Sequence, residues 1–442
     1  MNNNLPKKYI EQLTEFISFK SISTDASYSE ECHKTAQWLK NLFLKNNFEV
    51  KIDQGPTTNP LVMAKYHQDK DMETILIYGH YDVQPAEEKE GWSHDPFTLT
   101  ERDGRLSARG AIDNKGQVFV HIYTILELMR ENQLKYNIIF MIEGNEESSN
   151  HDISEQLEKN KDFLKSDYVL ISDGETTKNL PTVELSFRGG TNMTININTA
   201  PNNFHSGIYG GAVPNAALVL SQILAKIKDE KNNVLISGFY TDTDDISPEI
   251  KEMNSSIAST EEILELSGVK ELLTEDDLDF YTQTGLRPTI EISGITSGYT
   301  GVGYLNIVPA HAEARLNIRT APGQDTEKVT NIVKTFIEKE TPNYATLKVQ
   351  AEEGGNSIAL DSTSEKLEEI KEILEEIYQQ PVVSKHVGGS IPIVSDFIEK
   401  QNMNVISVSL ANEDCNMHGI HENFDISMVK NGLAFSRRFF QK

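Results

Sequence analysis

Five times along this chain an extended or apolar stretch runs into histidine, aspartate or glutamate. The clearest case is Ile75-Leu76-Ile77-Tyr78, which leads straight into Gly79-His80-Tyr81-Asp82. Ile138-Ile139-Phe140-Met141-Ile142 leads into Glu143-Gly144-Asn145-Glu146-Glu147, and Val169-Leu170-Ile171 into Ser172-Asp173-Gly174. An apolar segment at 404–410 precedes Asn416-Met417-His418-Gly419-Ile420-His421-Glu422. The fifth stretch, Ser107-Ala108-Arg109-Gly110-Ala111-Ile112-Asp113-Asn114-Lys115-Gly116, opens a helix. Short, wholly apolar runs are strands buried on both faces. Polar groups at their carboxyl ends are where α/β proteins keep their sites.

The spacing between these runs sets the fold class. Apolar residues at helical intervals fill 5–17, 29–43 and 117–129, and short apolar runs fill 61–65, 74–78, 137–142 and 168–172. Strands alternating with helices predict an α/β unit with a mostly parallel mixed sheet flanked by helices. Near Val183 the texture changes. Alternating faces at 184–187 and 192–198 predict antiparallel strands, and a helix is expected over 215–229, introduced by Pro214. Segments 289–293, 311–319 and 346–351 read as strands and 326–339 as a helix, while 235–286 is acidic, broken and weakly periodic. An amphipathic helix at 364–379 and the apolar run at 404–410 return to the first texture. The expected organisation is a core domain over 1–185 and 355–442, interrupted by an α+β domain over 186–354.

The 442 residues are too many for one ordinary core. A formal net charge of −26 makes nucleic acid an unlikely partner. No stretch reaches the roughly 18 apolar residues of a membrane helix, and the N-terminus has no apolar run of signal-peptide type. Two distant cysteines, Cys32 and Cys415, form no disulfide framework. The expectation is a cytoplasmic protein without a membrane or nucleic-acid partner.

Each polar stretch by itself has a plain structural reading. His80 could be a satisfied histidine at a strand end, Asp113 a helix N-cap and Glu146-Glu147 a solvated acidic loop. Together they are harder to explain without a cation. His80 and Asp82, two apart in extended chain, point the same way, and a carboxylate beside a ligating histidine orients it. An aspartate offering both oxygens can bridge two cations, and the flanking glycines allow a close approach. Adjacent glutamates point in different directions, so one can bind metal while the other faces water. The chain has no H-E-x-x-H helix, no G-x-S-x-G elbow and no P-loop. One C-x-x-H pair, Cys415 and His418, makes no zinc knuckle.

The ordered set GHYDVQP, SARGAIDNKG, EGNEESS, SDGE, FHSGIYGG, VGGSIP and NMHGIHENF resembles the aminoacylase/carnosinase superfamily of di-metal peptidases (metallopeptidase family twenty), on its dipeptidase branch. The resemblance runs from about residue 10 to the C-terminus. It implies a catalytic α/β domain interrupted by a lid that also dimerises. It further implies two divalent cations, zinc first, with manganese or cobalt suited to the same thiolate-free donors. His80 and Asp173 would hold the first cation, Glu147 and His418 the second, and Asp113 would bridge them. Asp82 would orient His80. Glu146 would be the general base, taking a proton as a bridging hydroxide attacks the amide. His205 would polarise the scissile carbonyl from across a homodimer interface, Arg319 would grip the substrate carboxylate, and Asn306 and Ser390 would help hold the substrate. Asn114 stands where many relatives carry a second aspartate, and His421 is a second candidate beside His418. The implied activity is cleavage of dipeptides or small peptides with a free C-terminal carboxylate. An N-acyl-amino-acid deacylase and a catalytically inactive binding homologue are the alternatives.

Overall fold

The structure is a computed structural model that describes residues 5–442 apart from 149, 151, 244, 353, 390 and 392. The chain divides into two compact units. One holds 1–185, 360–384 and 396–442, and the other holds 186–359 and 385–395.

In the first unit the apolar runs become the centre of a mixed sheet. Thr74–His80 and Asn137–Glu143 are buried along almost their whole length. They pair in parallel from Thr74 opposite Asn137 to His80 opposite Glu143. Tyr168–Ile171 lies parallel on the other side of Thr74–His80, and Asn404–Ser409 lies parallel beyond it. Each fully buried aliphatic side chain in these runs contributes about 1.5–3 kcal/mol. Leu61–Tyr66 and Glu49–Asp53 extend one side of the sheet antiparallel, and Thr182–Phe187 pairs antiparallel with Asn404–Ser409 on the other. The four central strands run the same way, so their carboxyl ends share one edge of the sheet.

The helix Lys115–Glu131 packs under this sheet with 13 of its 17 residues buried. Its start comes close to a strand: a Cβ on Gly79 would sit 2.6 Å from Asn114 Oδ1. A Cβ on Gly116 would sit 1.8 Å from the carbonyl oxygen of Ala111. Backbone crowding, not room for a ligand, therefore explains glycine at 116. The N-cap is Asn114 and not Asp113, which leaves the Asp113 carboxylate free of a capping role. A three-stranded sheet of Thr100–Arg102, Arg105–Ser107 and Asn423–Asp425 brings the chain near 422 beside the chain near 108.

The second unit is built on a four-stranded antiparallel sheet, ordered Thr289–Ser297, His311–Thr320, Gly189–Asn198, Thr346–Ala351. Gly189–Asn198 and His311–Thr320 bury alternate residues, as period-two patterning requires. The buried set includes Met193, Ile195, Ile197, Leu316 and Ile318, packed with Val219, Leu220 and Ile223 of Ala216–Leu224 and Val329 and Val333 of Thr326–Glu340. The helix expected to reach Asp229 stops at Leu224, and its N-cap is Asn215, not Pro214. Asp229 accepts hydrogen bonds from the amides of Lys231 and Asn233, which favours a turn there. Among the described residues, the acidic stretch after it contains the short α-helices Pro248–Ile257, Thr260–Ser267 and Phe280–Leu286.

Candidate metal centre

Five side chains that the sequence spreads from 80 to 418 meet in the first unit. His80 Nε2 lies 3.0 Å from Asp113 Oδ1 and 3.6 Å from Asp173 Oδ2. His418 Nε2 lies 2.7 Å from Asp113 Oδ2 and 3.3 Å from Glu147 Oε2. Two triads result, His80–Asp113–Asp173 and Asp113–Glu147–His418, each with its ligand atoms within 4.8 Å of one another. Asp113 belongs to both and offers a different oxygen to each. His421 joins neither triad; its ring packs on Trp92 and His94.

The donor chemistry suits divalent cations. His80 Nδ1 lies 3.0 Å from the main-chain carbonyl of Asp82. That oxygen can accept and not donate, so Nδ1 carries a proton and Nε2 is the nitrogen left to face a cation. Nε2 is buried and makes no well-directed hydrogen bond despite its carboxylate neighbours, as expected of an atom shaped for a metal. Burial works against a charge on His80, yet Asp173 and Asp113 hold its pKa well above the usual imidazole range. Asp113, and after it Glu147, raises His418 to about 10. Burial pushes Asp113 up, but His418 and His80 outweigh it and hold the carboxyl well below its usual value. Burial lifts Asp173 to about 6. The pocket draws positive charge to itself.

Asp82 does more than stand behind His80. Its Oδ1 is 3.4 Å from His80 Nδ1, farther than its own carbonyl oxygen. The carboxylate accepts from Ser23 Oγ at 2.7 Å and from the amides of Glu146 at 3.2 Å and Glu147 at 3.0 Å. It thus anchors the turn that carries both glutamates. Glu146 belongs to neither triad. Burial raises its pKa well above the carboxylate range, helped by the charges on Asp173, Asp113 and Glu147.

Several supporting residues were given no role from the sequence. Gln84 Nε2 donates to Glu147 Oε2 at 2.6 Å. Asn114 Nδ2 donates to the Ser172 carbonyl at 2.7 Å and to Asp173 Oδ1 at 2.6 Å. Arg109 and Glu422 form a buried ion pair at 2.7 Å. All four lie inside the quoted motifs, which was the available clue.

His205, Asn306 and Arg319 belong to the second unit, and Ser390 lies outside the described residues. His205 is exposed, caps Ser206–Tyr209, and accepts from the Gly207 amide through Nδ1 at 3.0 Å. Asn306 is adjacent to it, since its carbonyl accepts from the Ser206 amide at 2.9 Å. Arg319 projects from His311–Thr320, with Nε donating to Asn317 Oδ1 at 3.1 Å. Burial, and then Arg319 itself, lowers the neighbouring Arg188 to about 10. Arg188 is a second cation that the sequence did not mark.

The model of Peptidase family M20/M25/M40 matches residues 76–442. The chain belongs to this family. It is a metallopeptidase of the dipeptidase type, and the family works with divalent cations. It is 27% identical over 99% of its length to the Cys-Gly metallodipeptidase DUG1 of Saccharomyces cerevisiae, 96% of which is covered. It is 31% identical over 64% of its length to the Beta-Ala-His dipeptidase of Rattus norvegicus, covering 59% of that protein. The structure of the M20 family metallo-carboxypeptidase Sso-CP2 from Sulfolobus solfataricus superposes with a TM-score of 0.89 at 27% identity, covering 99% of both chains. The α/β architecture with an inserted α+β domain is the family's own.

Proposed function

We propose that this M20 enzyme hydrolyses the amide bond of dipeptides and other small peptides with a free C-terminal carboxylate, using two divalent cations held by the two triads. The observation that carries the reading is Asp113, one carboxylate whose two oxygens face two separate ligand sets. His80, Asp113 and Asp173 hold one cation, and Asp113, Glu147 and His418 the other. Zinc is the metal placed first, and manganese and cobalt suit the same donors.

When bound, such a pair lowers the pKa of a shared water and polarises the scissile carbonyl. Glu146 accepts the proton of the attacking water and returns it to the leaving amine. The Asp82 carboxylate, accepting from the Glu146 amide, fixes where that residue stands. His205 accepts through Nδ1, so Nε2 carries the proton and can donate to a developing oxyanion. Arg319 matches a substrate carboxylate with its two-pronged guanidinium, and Asn306 and Ser390 add contacts to the substrate.

The reading includes a cytoplasmic homodimer in which His205 serves the partner subunit's active site. Support comes from the exposure of His205 and of Val302, Tyr304 and Leu305 on the same unit. Cys32 and Cys415 are buried free thiols, and among the described residues no helix is long and apolar enough to cross a membrane.

The test is a panel of free dipeptides, the same peptides N-acetylated, and longer peptides. It is read with chelator-treated protein and with zinc, manganese or cobalt restored. Metal-dependent cleavage of the free dipeptides is expected. Cleavage confined to the acetylated set would replace the reading with a deacylase, and binding without turnover would make the chain an inactive homologue.

A further inference from the structure

The Arg109–Glu422 pair is costly where it stands. The side chains are 4% and 0% exposed, and a buried ion pair adds little stability over well-packed apolar residues. What it does locally is specific. Glu422 Oε1 accepts the amides of Ile112 at 2.8 Å and Asp113 at 3.1 Å, and Oε2 accepts the amide of Gly110 at 3.2 Å. Three amides of the turn that presents Asp113 therefore converge on one carboxylate. Arg109 is bound to that carboxylate through Nη1, while its Nη2 donates to the main-chain carbonyl of His418 at 3.0 Å. His418 itself sits in left-handed backbone, with φ of 59°, a conformation a non-glycine residue holds only when its surroundings impose it.

We propose that Arg109 and Glu422 are positioning residues for the second cation, one ion pair fixing the backbone at both Asp113 and His418. This rests on the reading of those two residues as ligands. The pair makes no hydrogen bond or ion contact with His80 or Asp173 in the first triad. The first site therefore feels the pair only through the shared Asp113, and the second through both Asp113 and His418, so the larger effect should fall on the second. Asp113 keeps its carboxylate in either case; what changes is the distance and angle at which Oδ2 meets the His418 imidazole.

The test is a titration of metal-stripped protein with Co²⁺ alone, followed by visible absorption, with His80→Ala and His418→Ala marking which step belongs to which site. In Glu422→Gln the second dissociation constant should rise roughly 10–100-fold, the range seen when groups behind metal ligands are removed. The first constant should rise by a smaller factor, because only its shared ligand Asp113 is touched. Arg109→Lys, which keeps the charge but loses the second arm to His418, should show the same selectivity and serves if Glu422→Gln does not fold. A folded variant, matched to the parent in apoprotein melting, whose two constants shift equally or not at all would overturn the proposal. Parent protein that binds fewer than two Co²⁺ ions would instead overturn the two-cation reading on which it rests.

Discussion

Two adjacent glutamates make the sharpest distinction in the site. Glu147 reaches His418 Nε2 at 3.3 Å and receives Gln84, so it stands among the candidate ligands. Glu146 stands outside both triads, with its pKa raised by burial and by the carboxylates around it. Glu146→Gln should therefore lower kcat about 10²–10⁴-fold, the usual share of a general base, and leave two cations bound per chain by elemental analysis. Loss of a cation with the turnover would make Glu146 a ligand and remove the base from the account. The same scale explains the departure at Asn114. Its amide nitrogen donates to the Ser172 carbonyl and to Asp173 Oδ1; an ionised aspartate would set oxygen against oxygen at both contacts. Asn114 therefore holds Asp173 by donating to it, a role a carboxylate can fill only when protonated.

The strands and helices that carry the ligands were legible because burial leaves a pattern. Ile75–Tyr78, Ile138–Ile142 and Val169–Ile171 are apolar without interruption since both sheet faces are covered. The three-residue strands Thr100–Arg102, Arg105–Ser107 and Asn423–Asp425 were not legible, because their pairing is set by distant chain and not by any local period. The fifth polar stretch does open a helix, as its sequence implies, whereas His418 lies nine residues past Ser409, the end of its strand. The helix Ile426–Gln441 carries a buried face through Met428, Val429, Phe435 and Phe439; it starts two residues past the last motif, which ends at Phe424. Helix Lys115–Glu131 has its own pH signature. His121 is fully buried between the hydroxyls of Ser436 and Ser172, and burial pushes it down to about 3. Below pH 6.5 the unfolded chain takes up a proton that the folded chain refuses, so stability falls as pH drops toward 3. The slope due to His121 is about 1.4 kcal/mol per pH unit. Urea unfolding at several pH values should show this slope in the parent and a shallower one in His121→Gln. Equal slopes would mean that His121 is not held neutral.

At the scale of the molecule, the interruption of one texture by another was visible in the sequence, because buried parallel strands and half-buried antiparallel strands differ in period. The return of 385–395 to the second unit was not, since it is made by contacts such as Ser186 Oγ to His386 Nδ1 at 2.8 Å. Substrate contacts expected from His205, Asn306 and Arg319 fall on that second unit and the ligands on the first. The net charge of −26 counts carboxylates that the two triads assign to metal. The most direct measurement is therefore a stoichiometric one. Chelator-stripped protein is titrated with Zn²⁺, and cleavage of a free dipeptide is followed at each addition. The account predicts negligible activity before metal and a rise that is complete at two equivalents per chain. Full activity at one equivalent, or activity that survives complete removal of metal, would contradict it.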